Sequence, residues 1–436
     1  MSTSNRLLSL DIFRGLTVAG MILVNDPGSW NTVFSPLLHA DWHGCTPTDL
    51  VFPFFLFIVG VSITYSFGKQ LAKGRSKAAI LGKASLRALI LFGLGLFLAA
   101  FPFFGGREEL VGGRSIFFFI LLGLLILSTF IRQVVSQEKA LIRFSSKTQR
   151  LWDYVLIGVF LFFVVVGFPY FDFSHLRIPG VLQRIALGFF FSGLIYLYVP
   201  GWKNQSLLLG LILLLYWILM NYVPVPGGGA PSLEAESNLG AWIDRTVLGS
   251  SHLWSQAKTW DPEGILSTLP AVGTGILGLL TGQLLQTQLD VREKTAWLFI
   301  AGSACVFLGL FWNLSFPINK KIWTSSYVLY TGGLAMYVLG ICYWFADVKG
   351  YTKWSPFFVA FGTNAITAYV ASGLLAKTLI YAKTASGQSW WSWTYDNLFL
   401  SWLGPYTASL FFAICFVLVI WVPIRYLNKK RIFVKV

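Results

Sequence analysis

A polar loop near the N-terminus holds the residues whose types and spacing best suit chemistry. His39 and His43 lie in this loop with Asp41 and Asp49, and Asn25 ends the apolar segment that precedes it. A neutral imidazole can take a proton from an amine or a hydroxyl, or carry an acyl group as a nucleophile, and a nearby carboxylate can orient it. We therefore predict His39, Asn25 and Asp49 as catalytic residues.

Structural roles for the same residues stay open at this point. Thr46, Pro47 and Asp49 have the spacing of a helix start with an N-cap, a proline at the first position and an acid that reaches back to the cap. A loop histidine at the level of the lipid headgroups is equally ordinary. Because His39 and His43 lack an identified third ligand at a suitable spacing, no metal site is predicted.

The elements around the loop have the composition of membrane helices. Of the 436 residues, 56% are hydrophobic and 12% are charged, whereas a soluble domain carries about 25% charged residues. Apolar stretches of about 20 residues recur along the chain, as transmembrane helices require. We predict an all-α polytopic transmembrane helix bundle of about 12 spans. The predicted spans are 8–25, 49–68, 85–104, 115–131, 151–169, 179–199, 206–223, 265–285, 295–313, 323–346, 355–380 and 402–426.

The distribution of positive charge predicts the orientation of these spans. The formal net charge is +15, and the 33 Lys and Arg residues cluster at the ends of apolar stretches. This pattern indicates topology by the positive-inside rule, not nucleic-acid binding. Most of the cations fall on the face that holds both termini, so we predict cytoplasmic termini and a His39 loop on the opposite side. The whole chain, 1–436, is predicted to form one domain, with 105–170 as an inserted helical hairpin.

Several polar residues occur inside or beside apolar spans, where a charge costs about 2.5–3.5 kcal/mol. Asp11 and Arg14 are three residues apart, so they either pair with each other or form a cationic site for a phosphorylated ligand. Arg14 and Asn25 are about 16 Å apart along a helix, which matches a long, narrow ligand. Gln183 and Arg184 are expected to line the same cavity from another wall.

Two further polar segments fall on the predicted outer face. Asp261 is expected to cap a helix that starts at Pro262, or to face His39 across a cleft together with Glu263. Asn319 and Lys320 belong to a polar turn that carries cations on the side otherwise depleted of them.

Six sequence blocks carry a resemblance to a known family. They are RLLSLDIFRG at 6–15, VN at 24–25, HADWHGCTPTDLVFP at 39–53, LRIPGVLQR at 176–184, DPEG at 261–264 and PINKKIW at 317–323. With these blocks the chain resembles the heparan-α-glucosaminide N-acetyltransferase family, which is a family of transmembrane acetyltransferases. The blocks extend over about residues 5–330, and the similarity weakens beyond them.

The resemblance implies an acetyl-CoA-dependent enzyme that transfers an acetyl group to a glucosamine-type amine on the non-cytoplasmic side. The family's active-site histidine matches His39 and its asparagine matches Asn25, while either an acetyl-histidine or direct transfer is compatible with the sequence. The resemblance places Arg14, Gln183 and Arg184 near the CoA or the reaction centre. The predicted substrate-binding residues are Asp41, Trp42, Asp261, Glu263, Asn319 and Lys320.

The resemblance also implies which membrane the protein occupies and which acceptor it uses. A bacterial-type member would lie in the cytoplasmic membrane and act on a small amino sugar or an envelope glycan. The aromatic-rich helix surfaces would permit a homodimer, and neither a metal nor a nucleic acid is expected. The alternative function is a secondary transporter of a sugar or another small polar solute, although the two related halves typical of that class are not visible in the sequence.

Overall fold

Helices form most of the part of the chain that the structure describes. The computed structural model describes residues 7–101, 154 and 173–433. In chain order these helices are α1 Leu8–Asn25, α2 Val51–Ala72, α3 Lys77–Ala100, α4 Val181–Tyr198, α5 Trp202–Tyr222, α6 Leu239–Leu248, α7 Thr268–Gln286, α8 Val291–Trp312, α9 Ser325–Tyr343, α10 Pro356–Thr363, α11 Ala365–Tyr381, α12 Trp390–Tyr395 and α13 Pro405–Lys429.

The described residues confirm the helical membrane class. Nine helical segments among them are long and apolar enough to cross a membrane, and the bent pair α10–α11 makes a tenth. Each predicted span that falls mainly within these ranges overlaps one of the ten, although the helix predicted at 85–104 begins earlier, at Lys77. The predicted spans 115–131 and 151–169, and the predicted hairpin 105–170, lie outside the described residues apart from Tyr154. The count of twelve and the orientation of the termini stay predictions.

Two predicted helix boundaries are wrong in an informative way. The predicted span 355–380 is not one straight helix, because it breaks at Asn364 with a bend of 85° between α10 and α11. The helix expected at Pro262 begins instead at Thr268 as α7. Asp261 therefore caps no helix, and its carboxylate is used in the ion pairs described below.

Small residues bring the central helices into backbone contact. A Cβ added at Gly60 of α2 would lie 2.1 Å from the Gly275 carbonyl oxygen of α7, and a Cβ added at Gly15 of α1 would lie 1.8 Å from the Phe358 carbonyl oxygen of α10. Apolar burial cannot drive helix association inside a bilayer, so close van der Waals packing at such residues has to do so. Helices α1, α2, α7 and α9 form the main apolar core in this way.

Gly15→Ala should separate α1 from α10, because the new methyl group meets backbone that cannot rotate away. We expect a loss of about 1–3 kcal/mol or more, the cost of an overpacked interior, seen as a lower melting temperature of the detergent-purified protein by tryptophan fluorescence. Gly20→Ala in the same helix is the control, since nothing lies within 4 Å of its added Cβ. Equal melting temperatures for the two variants would contradict this packing.

Candidate active site

The predicted catalytic loop places His39 on a carboxylate. The Nδ1 atom of His39 lies 2.7 Å from Oδ1 of Asp49, while Oδ2 of Asp49 accepts hydrogen bonds from the backbone N–H groups of Ala40 (3.0 Å) and Thr46 (3.0 Å). Thr46 and Asp49 form the predicted capping box, with Pro47 in the first turn. One buried carboxylate thus fulfils both of the roles that the sequence left open, because each of its oxygens faces a different partner.

A second segment brings Lys320 to the same imidazole. The Nζ atom of Lys320 lies 3.0 Å from Nδ1 and 3.2 Å from Nε2 of His39, and 3.7 Å from Oδ1 of Asp49. Burial lowers the pKa of Lys320, and the charge of Asp49 opposes this shift. The site therefore contains an acid, an imidazole and an amine in mutual contact.

Backbone contacts hold the two segments together. The N–H of Gly44 donates to the carbonyl oxygen of Ile318 at 2.7 Å, and Gly44 and Asn319 form an isolated parallel β-bridge. The fully buried side chain of Asn319 accepts hydrogen bonds from the N–H groups of Lys321 (2.7 Å) and Ile322 (3.1 Å). Asn319 therefore shapes the turn that aims Lys320, and its side-chain oxygen is already used by the backbone.

Asp261 and Glu263 form ion pairs with an arginine that the sequence analysis did not single out. Arg177 donates two hydrogen bonds to Asp261, at 2.8 and 2.7 Å, and one to Glu263 at 2.5 Å. These bonds and charges raise the pKa of Arg177 although burial opposes the shift. An arginine in the otherwise cation-poor outer loops was the sequence signal that could have identified it.

Arg184, predicted to bind the cofactor, lies in the protein interior. Its guanidinium donates to the carbonyl oxygen of Gly264 (2.9 Å) and to the hydroxyl of Ser267 (2.5 Å), and it lies 5.2 Å from the Trp323 ring centroid. The neighbouring Gln183 donates to the carbonyl oxygen of Ile178 at 3.1 Å. Arg184 therefore supports the segment that leads into α7.

Three cavities surround these residues. The histidine cavity, of about 230 Å³, is lined by Met21, Val24, Asn25, His39, Thr48, Val51, Phe52, Phe55, Arg177, Val181, Trp254, Trp260, Pro262, Glu263, Lys320, Lys321 and Tyr369. The inner cavity, of about 430 Å³, includes Arg14, Ser62, Ser66 and Arg87 in its wall. The outer cavity, of about 920 Å³, includes Asn25, Asp26, Arg177, Gln183, Trp254 and Lys377.

The three cavities adjoin one another along α1. Met21, Val181 and Tyr369 line all three of them, so these side chains form the partitions between them. Asn25, Arg177 and Trp254 are shared by the outer and histidine cavities alone. The histidine cavity therefore has a neighbouring cavity on the side of Arg14 and another on the side of Gln183 and Lys377.

The cavities divide the predicted site residues into groups. Asn25, His39, Glu263 and Lys320 line the histidine cavity, Arg14 lines the inner cavity and Gln183 the outer one. Asp49 contacts Nδ1 of His39 and does not itself line the histidine cavity. The structure does not bring the remaining five, Asp41, Trp42, Asp261, Asn319 and Arg184, to the wall of the histidine cavity.

An indole cluster of Trp42, Trp254 and Trp260 borders the site. The ring centroids of Trp42 and Trp260 are 5.1 Å apart and those of Trp254 and Trp260 are 5.5 Å apart. The Nζ atom of Lys321 lies 5.9 Å from the Trp42 centroid and 5.8 Å from the Trp260 centroid, and it donates to the carbonyl oxygen of Asp41. These contacts fix Asp41 and Trp42 at the rim.

Comparison with known proteins yields one consistent family. Residues 6–145 match the family model described as "Heparan-alpha-glucosaminide N-acetyltransferase, catalytic". The chain is 27% identical to "Heparan-alpha-glucosaminide N-acetyltransferase" of Mus musculus over 100% of its own length and 28% identical to that of Homo sapiens over 84%. The chain spans 61% of the length of the mouse protein, and the human match covers 52% of that protein.

Arg177→Met should destabilise the outer wall, because it leaves a fully buried Asp261 and a nearly buried Glu263 side chain without their cation. Breaking a buried ion pair on one side costs about 3–5 kcal/mol, which thermal unfolding in detergent would reveal. Arg292→Met, at the exposed start of α8, removes the same charge without this loss. Adding Asp261→Asn and Glu263→Gln to Arg177→Met should recover part of the stability, and no recovery would contradict the assignment.

Proposed function

We propose that the chain is a membrane-embedded acetyltransferase of the heparan-alpha-glucosaminide N-acetyltransferase family, which its similarity to the family model and to the mouse and human proteins supports. It moves an acetyl group from acetyl-CoA, taken from the cytoplasmic side, to the amine of an amino sugar on the opposite side. The observation that carries this proposal is the position of His39, which contacts Asp49 and Lys320 and lines a cavity that adjoins one cavity on the inner side and one on the outer side.

The inner cavity has the chemistry that a long acyl-CoA requires. Arg87 and Arg14 lie in its wall, and the rest of the wall is largely apolar. The guanidinium of Arg87 lies 5.1 Å from the Phe189 ring centroid, a contact that uses none of its N–H groups and leaves them for phosphate oxygens. Apolar walls suit the thin pantetheine arm, which would reach toward Asn25 along about 16 Å of α1.

Arg14 contributes less free donor capacity than the sequence suggested. Its guanidinium pairs with Asp11 at 3.2 Å, as one of the two sequence interpretations predicted, and donates to the carbonyl oxygen of Gly362 (3.1 Å) and the hydroxyl of Ser62 (2.8 Å). These bonds hold α1, α2 and the bend after α10 together at the inner cavity. Arg14 therefore shapes the donor site while adding positive potential to it.

His39 acts as the general base in this proposal. With Nδ1–H donating to Asp49, Nε2 carries the lone pair. The Nζ atom of Lys320 lies 3.2 Å from Nε2, so Lys320 has to turn toward the acetyl oxygen before Nε2 can take the proton of the attacking amine. As the amine nitrogen attacks the acetyl carbonyl carbon, Nε2 takes its proton and the carbon–sulfur bond breaks. The proton on His39 then passes to the departing thiolate, so the base is regenerated. Transfer of the acetyl group through Nε2 itself uses the same geometry.

Lys320 and Asn25 complete the proposed centre. The Lys320 ammonium lies 3.2 Å from Nε2 of His39, close to where negative charge develops on the acetyl oxygen. In a site shielded from water, a positive charge or an amide donor aimed at that oxygen stabilises the transition state strongly. Asn25 lines the same cavity from the end of α1 and supplies such an amide.

The charge distribution supports the proposed sidedness. Lys69, Lys73, Arg75 and Lys77 lie at the turn between α2 and α3, at the end of the bundle where α2 ends and α3 begins. The His39 loop lies at the opposite end of α2. By the positive-inside rule the basic turn is cytoplasmic and the His39 loop is not, and we propose a bacterial cytoplasmic membrane as the setting. The predicted homodimer stays a prediction.

Mass spectrometry of glucosamine incubated with acetyl-CoA and the detergent-purified protein tests the reaction. Wild type should form N-acetylglucosamine, and His39→Ala should lower the rate about 10²–10⁴-fold, the usual contribution of a general base. The control is His43→Ala, four residues along the same loop, whose Nδ1 atom lies 3.4 Å from the Asn319 amide nitrogen. Normal turnover in His39→Ala, or no product from wild type with any amino sugar, would overturn the assignment.

Arg87→Gln tests the donor site separately. Loss of one charge-assisted contact to a phosphate should raise the KM for acetyl-CoA by about tenfold, with the KM for the acceptor unchanged. Lys83→Gln, one turn earlier in α3 and exposed, is the matched control. A larger effect on the acceptor than on acetyl-CoA would place the donor elsewhere.

A further inference from the structure

The outer cavity contains an acid that the proposed reaction does not use. Asp26 follows the last residue of α1 and lies directly beside Asn25, and both residues line the outer cavity. Asn25 also lines the histidine cavity, so Asp26 adjoins a residue that the two cavities share. An acceptor bound in the outer cavity beside Asn25 would therefore lie near this carboxyl group.

Asp26 has no cation of its own among the described residues. The ion pairs found there join Arg14 to Asp11, His39 and Lys320 to Asp49, and Arg177 to Asp261 and Glu263. The titratable groups that share the cavity wall with Asp26 are His175, Arg177, Lys258, Tyr369 and Lys377. Of these groups, Arg177 is already neutralised by its ion pairs with Asp261 and Glu263.

Lys377 is likewise engaged elsewhere. Its Nζ atom donates to the carbonyl oxygens of Leu98 (2.5 Å) and Phe101 (2.9 Å), at the end of α3. It caps that helix terminus, where a cation is favoured by the helix dipole. The imidazole of His175 lies 3.0 Å from the hydroxyl of Ser174. The wall of the outer cavity thus carries positive charge, but Arg177 and Lys377 bond to other partners and not to Asp26.

Partial burial without a counter-charge within ion-pair distance disfavours the charged form of Asp26 until a ligand arrives. Burial raises the pKa of Asp26 to about 8. Desolvation disfavours the charged form of Asp26. A bound cation replaces the lost hydration, so the cation and the carboxylate stabilise each other. An ammonium group is the complement of such a site, since it supplies both the charge and the hydrogen-bond donors.

We propose that Asp26 is the acceptor's amine-binding group and that it makes the enzyme select a primary amine over a hydroxyl. Trp254, which lines the same cavity, offers an apolar ring for the face of the sugar, and serines 250, 251 and 255 line the wall beside it. The acceptor class is therefore a small amino sugar, bound as its ammonium form. This inference rests on the proposed acetyltransferase function.

The same contact supplies the first of two deprotonations. An ammonium nitrogen has no lone pair, so it must lose one proton before it can attack a carbonyl carbon. Asp26 accepts that proton, which leaves a neutral amine and a neutral carboxyl group, and releases it later to water in the outer cavity. His39 takes the second proton as the carbon–nitrogen bond forms, so each base handles one proton.

Asp26→Asn keeps the shape of the side chain and removes its charge. We expect the KM for glucosamine to rise about ten- to a hundredfold, the loss of one charge-assisted contact, while the KM for acetyl-CoA changes less than about twofold. Asp396→Asn is the matched control, because Asp396 is exposed and bonds to Gln388 at 2.6 Å. Unequal changes in the two KM values separate acceptor binding from general loss of fold.

Calorimetry provides a readout that needs no turnover. At pH 7, below the pKa of the empty Asp26 site, binding of glucosammonium should release close to one proton, measured as a dependence of the binding enthalpy on the buffer. Asp26→Asn should bind more weakly and release none, and glucose, which has a hydroxyl in place of the amine, should bind both proteins equally.

The outcomes distinguish this inference from the proposed function. If wild type acetylates glucosamine and Asp26→Asn retains the wild-type KM and proton release, the role of Asp26 is wrong and the acetyltransferase stands. If wild type acetylates no amine but binds glucosammonium through Asp26, the reaction is wrong and the amine site stands.

Discussion

The carboxylate of Asp49 is the interaction on which the rest of the site depends. One oxygen holds the imidazole of His39 at 2.7 Å, and the other accepts the backbone N–H groups of Ala40 and Thr46. The same side chain therefore caps the 3₁₀ turn Pro47–Leu50 that leads into α2, closes the loop before that turn and orients the candidate base. Since the helix start is anchored by the packing of α2 against α7, the position of His39 is tied to the core of the bundle.

Buried ion pairs join the segments that form the walls of the site. Lys320 approaches Asp49 and His39 from the turn before α9, while Arg177 holds Asp261 and Glu263 from the segment before α4. Each cation lies on a different part of the chain from the acid it meets. Because an uncompensated buried charge is costly, these pairs oblige four separate segments to meet at the end of the bundle that holds the His39 loop.

Close packing and open space alternate along the same helices. Glycines bring α1 to α10 and α2 to α7 at backbone distance, whereas the side of α1 that carries Met21 faces the cavities. The tight contacts keep α1 rigid, and the bend at Asn364 turns α11 away so that Tyr369 can form part of the partition. That combination leaves cavities along α1 between Arg14 and the His39 loop, which is the route that the proposed donor would take.

Much of this protein was determined by local sequence. Apolar stretches of membrane length predicted every span in the described ranges, and the Thr46–Asp49 spacing predicted the capping box, because hydropathy and helix capping act over a few neighbouring residues. Tertiary structure alone decided which distant charges meet. Nothing in the spacing of Arg177 and Asp261, or of His39 and Lys320, reveals contacts across 84 and 281 positions. In the tertiary structure Asp261 pairs with Arg177 instead of capping a helix, because a nearby cation outweighs the local capping preference. Arg184 lies in the interior because it donates to the packed carbonyl oxygen of Gly264.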